Sequence, residues 1–209
     1  LVQYARDRAS FVVEDDYDTE FRFTGSPVGS IQELAPDRVI YIGSFSKTIF
    51  PGLRVAFVVL PSEVIDRARD TKWHADLHNP VIEQKVLSRF LQDGHDERHV
   101  QRSRRQLARK RKVLCSLLEE SLGDSVQILG DAAGLHLAAR FLDVRFTDAF
   151  MTTAENEGIK LYRASDHAYN HSDWSDTLLF GFGMLGIPQI ERGVGILRKL
   201  LNRSNEASA

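Results

Sequence analysis

The stretch VIYIGSFSKTIFPGLRVAFVVLP, residues 39–61, sets two apolar runs on either side of a bend built from small and hydroxylated residues. RVIYIG (38–43) and RVAFVVLP (54–61) lack the alternation of a half-solvated strand. They therefore predict strands covered on both faces, as in a sheet layered with helices. The bend between them holds a single lysine, Lys47, with Ser44 and Ser46 just before it and Arg54 seven positions after it.

Upstream, SFVVED (10–15) is a third short β-branched and aromatic run that ends in acids, and a polar loop with Gly25, Pro27 and Gly29 follows. The opening LVQYARDRAS reads as a helix already under way, with Leu1, Val2 and Ala5 on one side. It has no initiator Met, and we expect a piece of a longer protein. Downstream, SEVIDRARDTKWHADLHN (62–79) predicts a helix with Ser62 as N-cap, and PVIEQKVLSRFLQDG (80–94) one that runs from Pro80 to Gly94. A long helix is expected over 95–122, stopping at Gly123.

The pattern then shortens. SVQILG (125–130), GLHLAARF (134–141), IKLYRA (159–164) and TLLFGFGM (177–184) read as strands, DAFMTTAENEG (148–158) and PQIERGVGILRKLLN (188–202) as helices, and RSNEASA (203–209) as a frayed tail. The fold class is α/β: a mostly parallel sheet layered with helices over 1–93, and a smaller α+β domain over 94–209.

The 209 residues, 43% hydrophobic and 27% charged, suit one or two globular domains. With 27 Lys plus Arg against 29 Asp plus Glu, the formal charge of −2 leaves a polyanionic partner to some local patch. Cys115, the single cysteine, excludes an intrachain disulfide and fits a reducing cytosol. No stretch approaches the roughly 20 apolar residues of a membrane-spanning helix.

A lysine placed where a strand gives way to a loop is expected to be partly desolvated, which lowers its pKa and frees the amine as a nucleophile suited to a Schiff base. The plainer reading is a solvated turn residue. Ser44, Ser46 and Arg54 bracket Lys47 as phosphate ligands would. Earlier, VVEDDYDTEF (12–21) puts carboxylates and Tyr17 at the end of a strand. A pyridine ring held above Lys47 needs an acid at its nitrogen and a donor at its phenolic oxygen, roles that Asp15 and Tyr17 can fill. Asp16 rivals Asp15, and because successive strand side chains face opposite ways, only one of the two should meet the ring.

With these residues in view, VEDDYDTEF (13–21) and VIYIGSFSKTIFPGLRVAFVVLP (39–61) together resemble the aminotransferase-like domain of the MocR subgroup of GntR-type transcriptional regulators, which has the fold-type I architecture of pyridoxal-phosphate aminotransferases. IEQKVLSRFLQDGHDERHVQRSRRQLARKRKVL (82–114) and LLFGFGMLGIPQIERGVGILRKLL (178–201) are similar to later segments of that domain. The resemblance implies that 1–93 is the C-terminal part of a cofactor-binding large domain and 94–209 the small domain. It implies pyridoxal 5'-phosphate joined to Lys47, Asp15 at the ring nitrogen, Tyr17 at the phenolic oxygen, and Ser44, Ser46 and Arg54 at the phosphate. It further implies a small-molecule amine or amino-acid effector, a cytoplasmic homodimer in the full-length parent, and DNA contact only through an N-terminal winged-helix domain outside this chain. The alternatives are a plain aminotransferase acting on amino acids, in which Lys47 also shuttles a proton, and a remnant without ligand.

Aminotransferases of this fold hold the substrate α-carboxylate with an arginine at the last strand, yet DTLLFGFGMLGI (176–187) has none. Arg163 is the nearest substitute, with a surface arginine as the plainer reading. RSRRQLARKRK (102–112) carries seven cations in eleven residues above an apolar stripe of Leu107, Leu114 and Leu118, and reads as the solvated face of a core-packed helix. His74 with His78, and His95 with His99, have zinc-compatible spacing but no accompanying HExxH glutamate or cysteine cluster, so no metal is expected. A GxSxG elbow is absent, which leaves nucleophilic hydrolysis without support.

Overall fold

The computed structural model describes residues 1–25, 29–130 and 132–206, so Pro27 of the expected loop and the last three residues of the expected tail lie outside it. The chain divides into two compact units, one of Leu1–Glu20 with Gly25–Arg102 and one of Phe21–Thr24 with Ser103–Ala209.

In the first unit, strands β1 (Val12–Asp16), β2 (Val39–Ser44) and β3 (Ala56–Val59) form a sheet in that order. β1 and β2 run parallel, from Val12 opposite Val39 to Asp16 opposite Gly43. β3 returns antiparallel, with Tyr41 opposite Val59 and Ser44 opposite Ala56. Helix α1 (Val2–Asp7) precedes the sheet and buries Ala5 completely. The short α2 (Ile31–Leu34) is capped twice: the Ser30 hydroxyl accepts the Glu33 N–H, and the Glu14 carboxylate accepts those of Ile31 and Gln32 at 2.9 and 3.0 Å. Those are donors that a helix start leaves without an internal partner.

Two expectations need correction here. Ser62 does not cap a helix: Pro61 opens a 3-10 turn over Ser62–Val64, closed by the Val64 N–H on the Pro61 carbonyl, and α3 (Ile65–Asp76) starts only after Val64. β3 is not covered on both faces. It is the edge strand of the sheet, and Phe57, Val58 and Val59 stand 42, 50 and 40% exposed. Helix α4 (Val81–Gln92) begins after Pro80, and Gly94 follows it at φ +64, a left-handed conformation that glycine adopts without a Cβ clash.

In the second unit, β4 (Val126–Leu129), β5 (His136–Phe141), β6 (Tyr162–Arg163) and β7 (Thr177–Gly181) form an antiparallel sheet in the order β4-β5-β7-β6. Of the strand expected over 159–164, only Tyr162 and Arg163 pair. Helix α5 (His95–Leu122) ends at Gly123, φ +56, and the division between the units falls within it. Its Leu107, Leu114 and Leu118 recur on one helical face, and α7 (Ile187–Glu206) repeats the device with Ile190, Val194, Leu197 and Leu201. Both stripes join a core with alternate residues of β5 (Leu137, Ala139, Phe141) and β7 (Leu178), and with Phe182 just beyond it. Helix α6 (Asp148–Asn156), capped by the Thr147 hydroxyl, adds Phe150, whose ring sits 5.2 Å from Phe146.

Leu118 is fully buried at the centre of that core. Leu118→Ala should lower unfolding free energy by about 2–5 kcal/mol, measured by chemical denaturation, because the cavity left behind adds to the lost transfer energy.

Candidate functional site

Strand direction decides where the six candidate residues go. Because β1 and β2 are parallel, their C-terminal ends lie at the same end of the sheet, with Asp15 on β1 and Tyr17 just beyond it, and Ser44 at the end of β2 with Ser46 and Lys47 in the loop that follows. Because β3 is antiparallel, its N-terminal end lies beside Ser44, and Arg54 stands two residues before it. All six are thereby brought to one sheet end, the end at which parallel α/β sheets offer ligand crevices.

The register also separates Asp15 from Asp16. Asp15 pairs with Ile42 and shares a face with it and with Ser44 two residues on, whereas Asp16 pairs with Gly43 on the opposite face, which carries Tyr41. Asp16 is committed there: its carboxylate accepts the Tyr41 hydroxyl at 2.6 Å and the Thr19 hydroxyl at 2.5 Å. Burial, that hydrogen bond, and the negative charges of Asp16, Glu20 and Glu14 all raise the Tyr41 pKa well above the phenol range. Asp15 is exposed and makes no hydrogen bond or ion pair among the described residues. The commitments of Glu14 to α2 and of Asp16 to Tyr41 were missed by sequence reasoning. The only signal was Tyr41 itself, a polar tip in an otherwise apolar run.

The loop after β2 is held from within. Thr48 is only 6% exposed, the Ile49 N–H donates to the Phe45 carbonyl at 2.9 Å, and the Ser46 N–H donates to Ser44 Oγ at 3.2 Å. Lys47 itself is exposed rather than partly desolvated, and like Tyr17 and Arg54 it has no partner among the described residues. Arg54 ends the 3-10 turn Pro51–Leu53 at φ +53, ψ +34. An arginine in the left-handed region carries strain of about 1–2 kcal/mol that a glycine would not.

Two other expectations look different in three dimensions. Arg163 is already engaged: Nη1 donates to Asp148 Oδ1 at 2.6 Å, and Nε to the Asp166 carboxylate at 3.1 and 3.2 Å. Hydrogen bonds to Asp148 and Asp166 raise its pKa above the usual arginine value. His74 and His78 do not share a helix, because α3 ends at Asp76 and Leu77 turns the chain at φ +55.

The model of the family "Aminotransferase class I and II" matches residues 2–158. The chain is 33% identical over 199 residues to the uncharacterized HTH-type transcriptional regulator YhdI of Bacillus subtilis, with 95% of this chain and 42% of that protein covered. It is 31% identical over 199 residues to the probable rhizopine catabolism regulatory protein MocR of Rhizobium meliloti, covering 95% and 40%. Among solved structures, LysN, the α-aminoadipate aminotransferase of Thermus thermophilus complexed with N-(5'-phosphopyridoxyl)-L-leucine, superposes with a TM-score of 0.81 at 28% identity, covering 96% of this chain and 52% of that one. The architecture is that of a fold-type I aminotransferase, and the chain spans less than half the length of these two regulators.

Two measurements probe this geometry. A phenol whose folded pKa is raised contributes stability that is present below its ordinary value near 10 and is lost as pH rises above it. Tyr41→Phe should therefore flatten the alkaline limb of unfolding free energy against pH, while costing about 1 kcal/mol at neutral pH for the lost hydrogen bond. Arg54→Gly should raise the unfolding free energy by about 1 kcal/mol, because the left-handed strain is relieved.

Proposed function

The chain belongs to the aminotransferase class I and II family, and from that membership we propose that it is the effector part of a MocR-type transcriptional regulator, binding pyridoxal 5'-phosphate at the sheet end that carries Lys47. The observation that carries this is the convergence of six residues on one end of the sheet, four of which, Asp15, Tyr17, Lys47 and Arg54, have no partner among the described residues. Neighbouring Glu14 and Asp16 are spent on the fold. A cationic amine, a carboxylate, a phenol and a guanidinium held uncommitted on short tethers match the donor set that a phosphorylated pyridine aldehyde requires.

When bound, the cofactor supplies a conjugated, electron-withdrawing ring. The chain supplies the rest. Lys47 offers the amine that attaches it covalently. Asp15 holds a proton at the ring nitrogen, Tyr17 donates to the phenolic oxygen, and Ser44, Ser46 and Arg54 take the phosphate through hydroxyl and charge-assisted hydrogen bonds. Residues 1–93 would form the C-terminal part of the cofactor-binding domain and 94–209 the small domain. DNA recognition would reside in an N-terminal domain, within a cytoplasmic homodimer whose effector is an amine or amino acid. The similarity to HTH-type regulators over 95% of the chain supports this choice, and no helix among the described residues is long and apolar enough to cross a membrane.

The second reading is a plain aminotransferase, favoured by the likeness to LysN. In that reading Lys47 also moves a proton on the bound substrate. A substrate carboxylate would reach Arg163 only by displacing Asp148 or Asp166. The missing arginine in 176–187 favours the regulator.

The test is spectroscopic. The full-length protein mixed with pyridoxal 5'-phosphate should gain a visible absorption band, and Lys47→Ala should abolish it. Arg54→Ala should weaken cofactor binding by roughly 1.5–3 kcal/mol. Asp15→Asn should leave the unfolding midpoint unchanged while shifting the band. A wild-type protein without the band, or Lys47→Ala with it, would leave the remnant without ligand as the surviving reading. Turnover of a defined amino donor would favour the enzyme.

A further inference from the structure

RSRRQLARKRK (102–112) is the densest run of one charge in the chain, seven cations without an acid. Two of them turn to the protein: Lys110 Nζ donates to the Gly183 carbonyl at 2.8 Å, and the Arg111 guanidinium lies 5.6 Å from the centre of the Phe23 ring. Arg105, Arg109 and Lys112 behave differently. They recur at intervals of four and three residues, so they line one face of α5, opposite the face that buries Leu107, Leu114 and Leu118. All three are exposed, and none forms an ion pair among the described residues. The nearest acids along the helix are Glu97 and Glu119, about two turns from either end of the stripe.

We infer that this face of α5 binds the phosphate backbone of double-helical DNA without reading its sequence. Three cations spread over about 10 Å along the helix match a linear array of phosphates, and the two guanidinium groups suit phosphate oxygens. Between them, Gln106, Leu107, Ala108, Lys110 and Arg111 offer no aromatic platform, which disfavours single strands held by base stacking. None of the large exposed hydrophobic side chains lies on α5, which disfavours a membrane surface. The choice of DNA over duplex RNA rests on the regulator reading above. The contact adds to recognition by an N-terminal domain and anchors the effector part close to the duplex.

The experiment uses the 209-residue chain alone, with a short labelled duplex of arbitrary sequence and fluorescence anisotropy across a salt series. Binding should weaken with salt at a slope of about −0.9 per phosphate, so roughly −2.7 for three contacts. R105E/R109E should reduce affinity at low salt by about tenfold or more and flatten the slope by about two. R198E/K199E makes the same charge change on exposed, unpaired positions of α7 and should stay within about twofold of wild type. Circular dichroism checks that each variant remains folded. Absence of binding at low salt, equal losses in both double variants, or tighter binding of duplex RNA than of DNA would overturn the inference. The cofactor band is measured separately, so a chain that binds DNA in a protein without the band refutes the cofactor reading alone, and the converse refutes the stripe alone.

Discussion

Strand direction is the constraint from which the candidate site follows. If β2 ran antiparallel to β1, the acid and phenol of one strand and the lysine of the other would sit at opposite ends of the sheet. The parallel register from Val12 opposite Val39 to Asp16 opposite Gly43 prevents this, and the reversal at β3 then brings Arg54 back to the same end. A parallel neighbour followed by an antiparallel one collects side chains from three separate stretches, with nothing required of the loops beyond their length.

Within that frame, alternation along β1 divides its acids between structure and availability. Glu14 and Asp16 fall on one face and are used up, the first on the two N–H groups that open α2, the second on the Tyr41 and Thr19 hydroxyls. Asp15, between them, falls on the other face and keeps its hydrogen-bonding capacity. Moving the strand by a single residue would exchange these roles, so the two hydrogen-bonded acids help to hold the third in register.

Much of this could be read from the chain because the signals were local. Gly94 and Gly123 mark helix ends through their own backbone conformations, and the leucine stripe of α5 marks its buried face through spacing alone. Asp15, Tyr17, Lys47 and Arg54 stood out by residue type next to apolar runs. What could not be read depends on partners distant in sequence. The fate of Asp16 is decided by Tyr41, twenty-five residues later, and that of Arg163 by Asp148, fifteen residues earlier. The exposure of β3 depends on what packs over a strand, which its apolar composition does not report. Ser62 failed as a cap because Pro61 set a tighter turn just ahead of it.

The exposed edge of β3 has a consequence for handling the chain. From Ala56 to Val59 it presents an apolar surface together with a row of backbone N–H and C=O groups on the side away from β2. The devices that commonly blunt such an edge, an inward-pointing charge, a bulge or a proline, are missing from these four residues, and Arg54 and Pro61 stand only at the flanks. A second extended segment could therefore add to the sheet by backbone pairing with little regard for its side chains. Two copies meeting edge to edge would do the same, so the concentration at which the chain is stored should govern whether it stays dispersed or assembles into longer sheets.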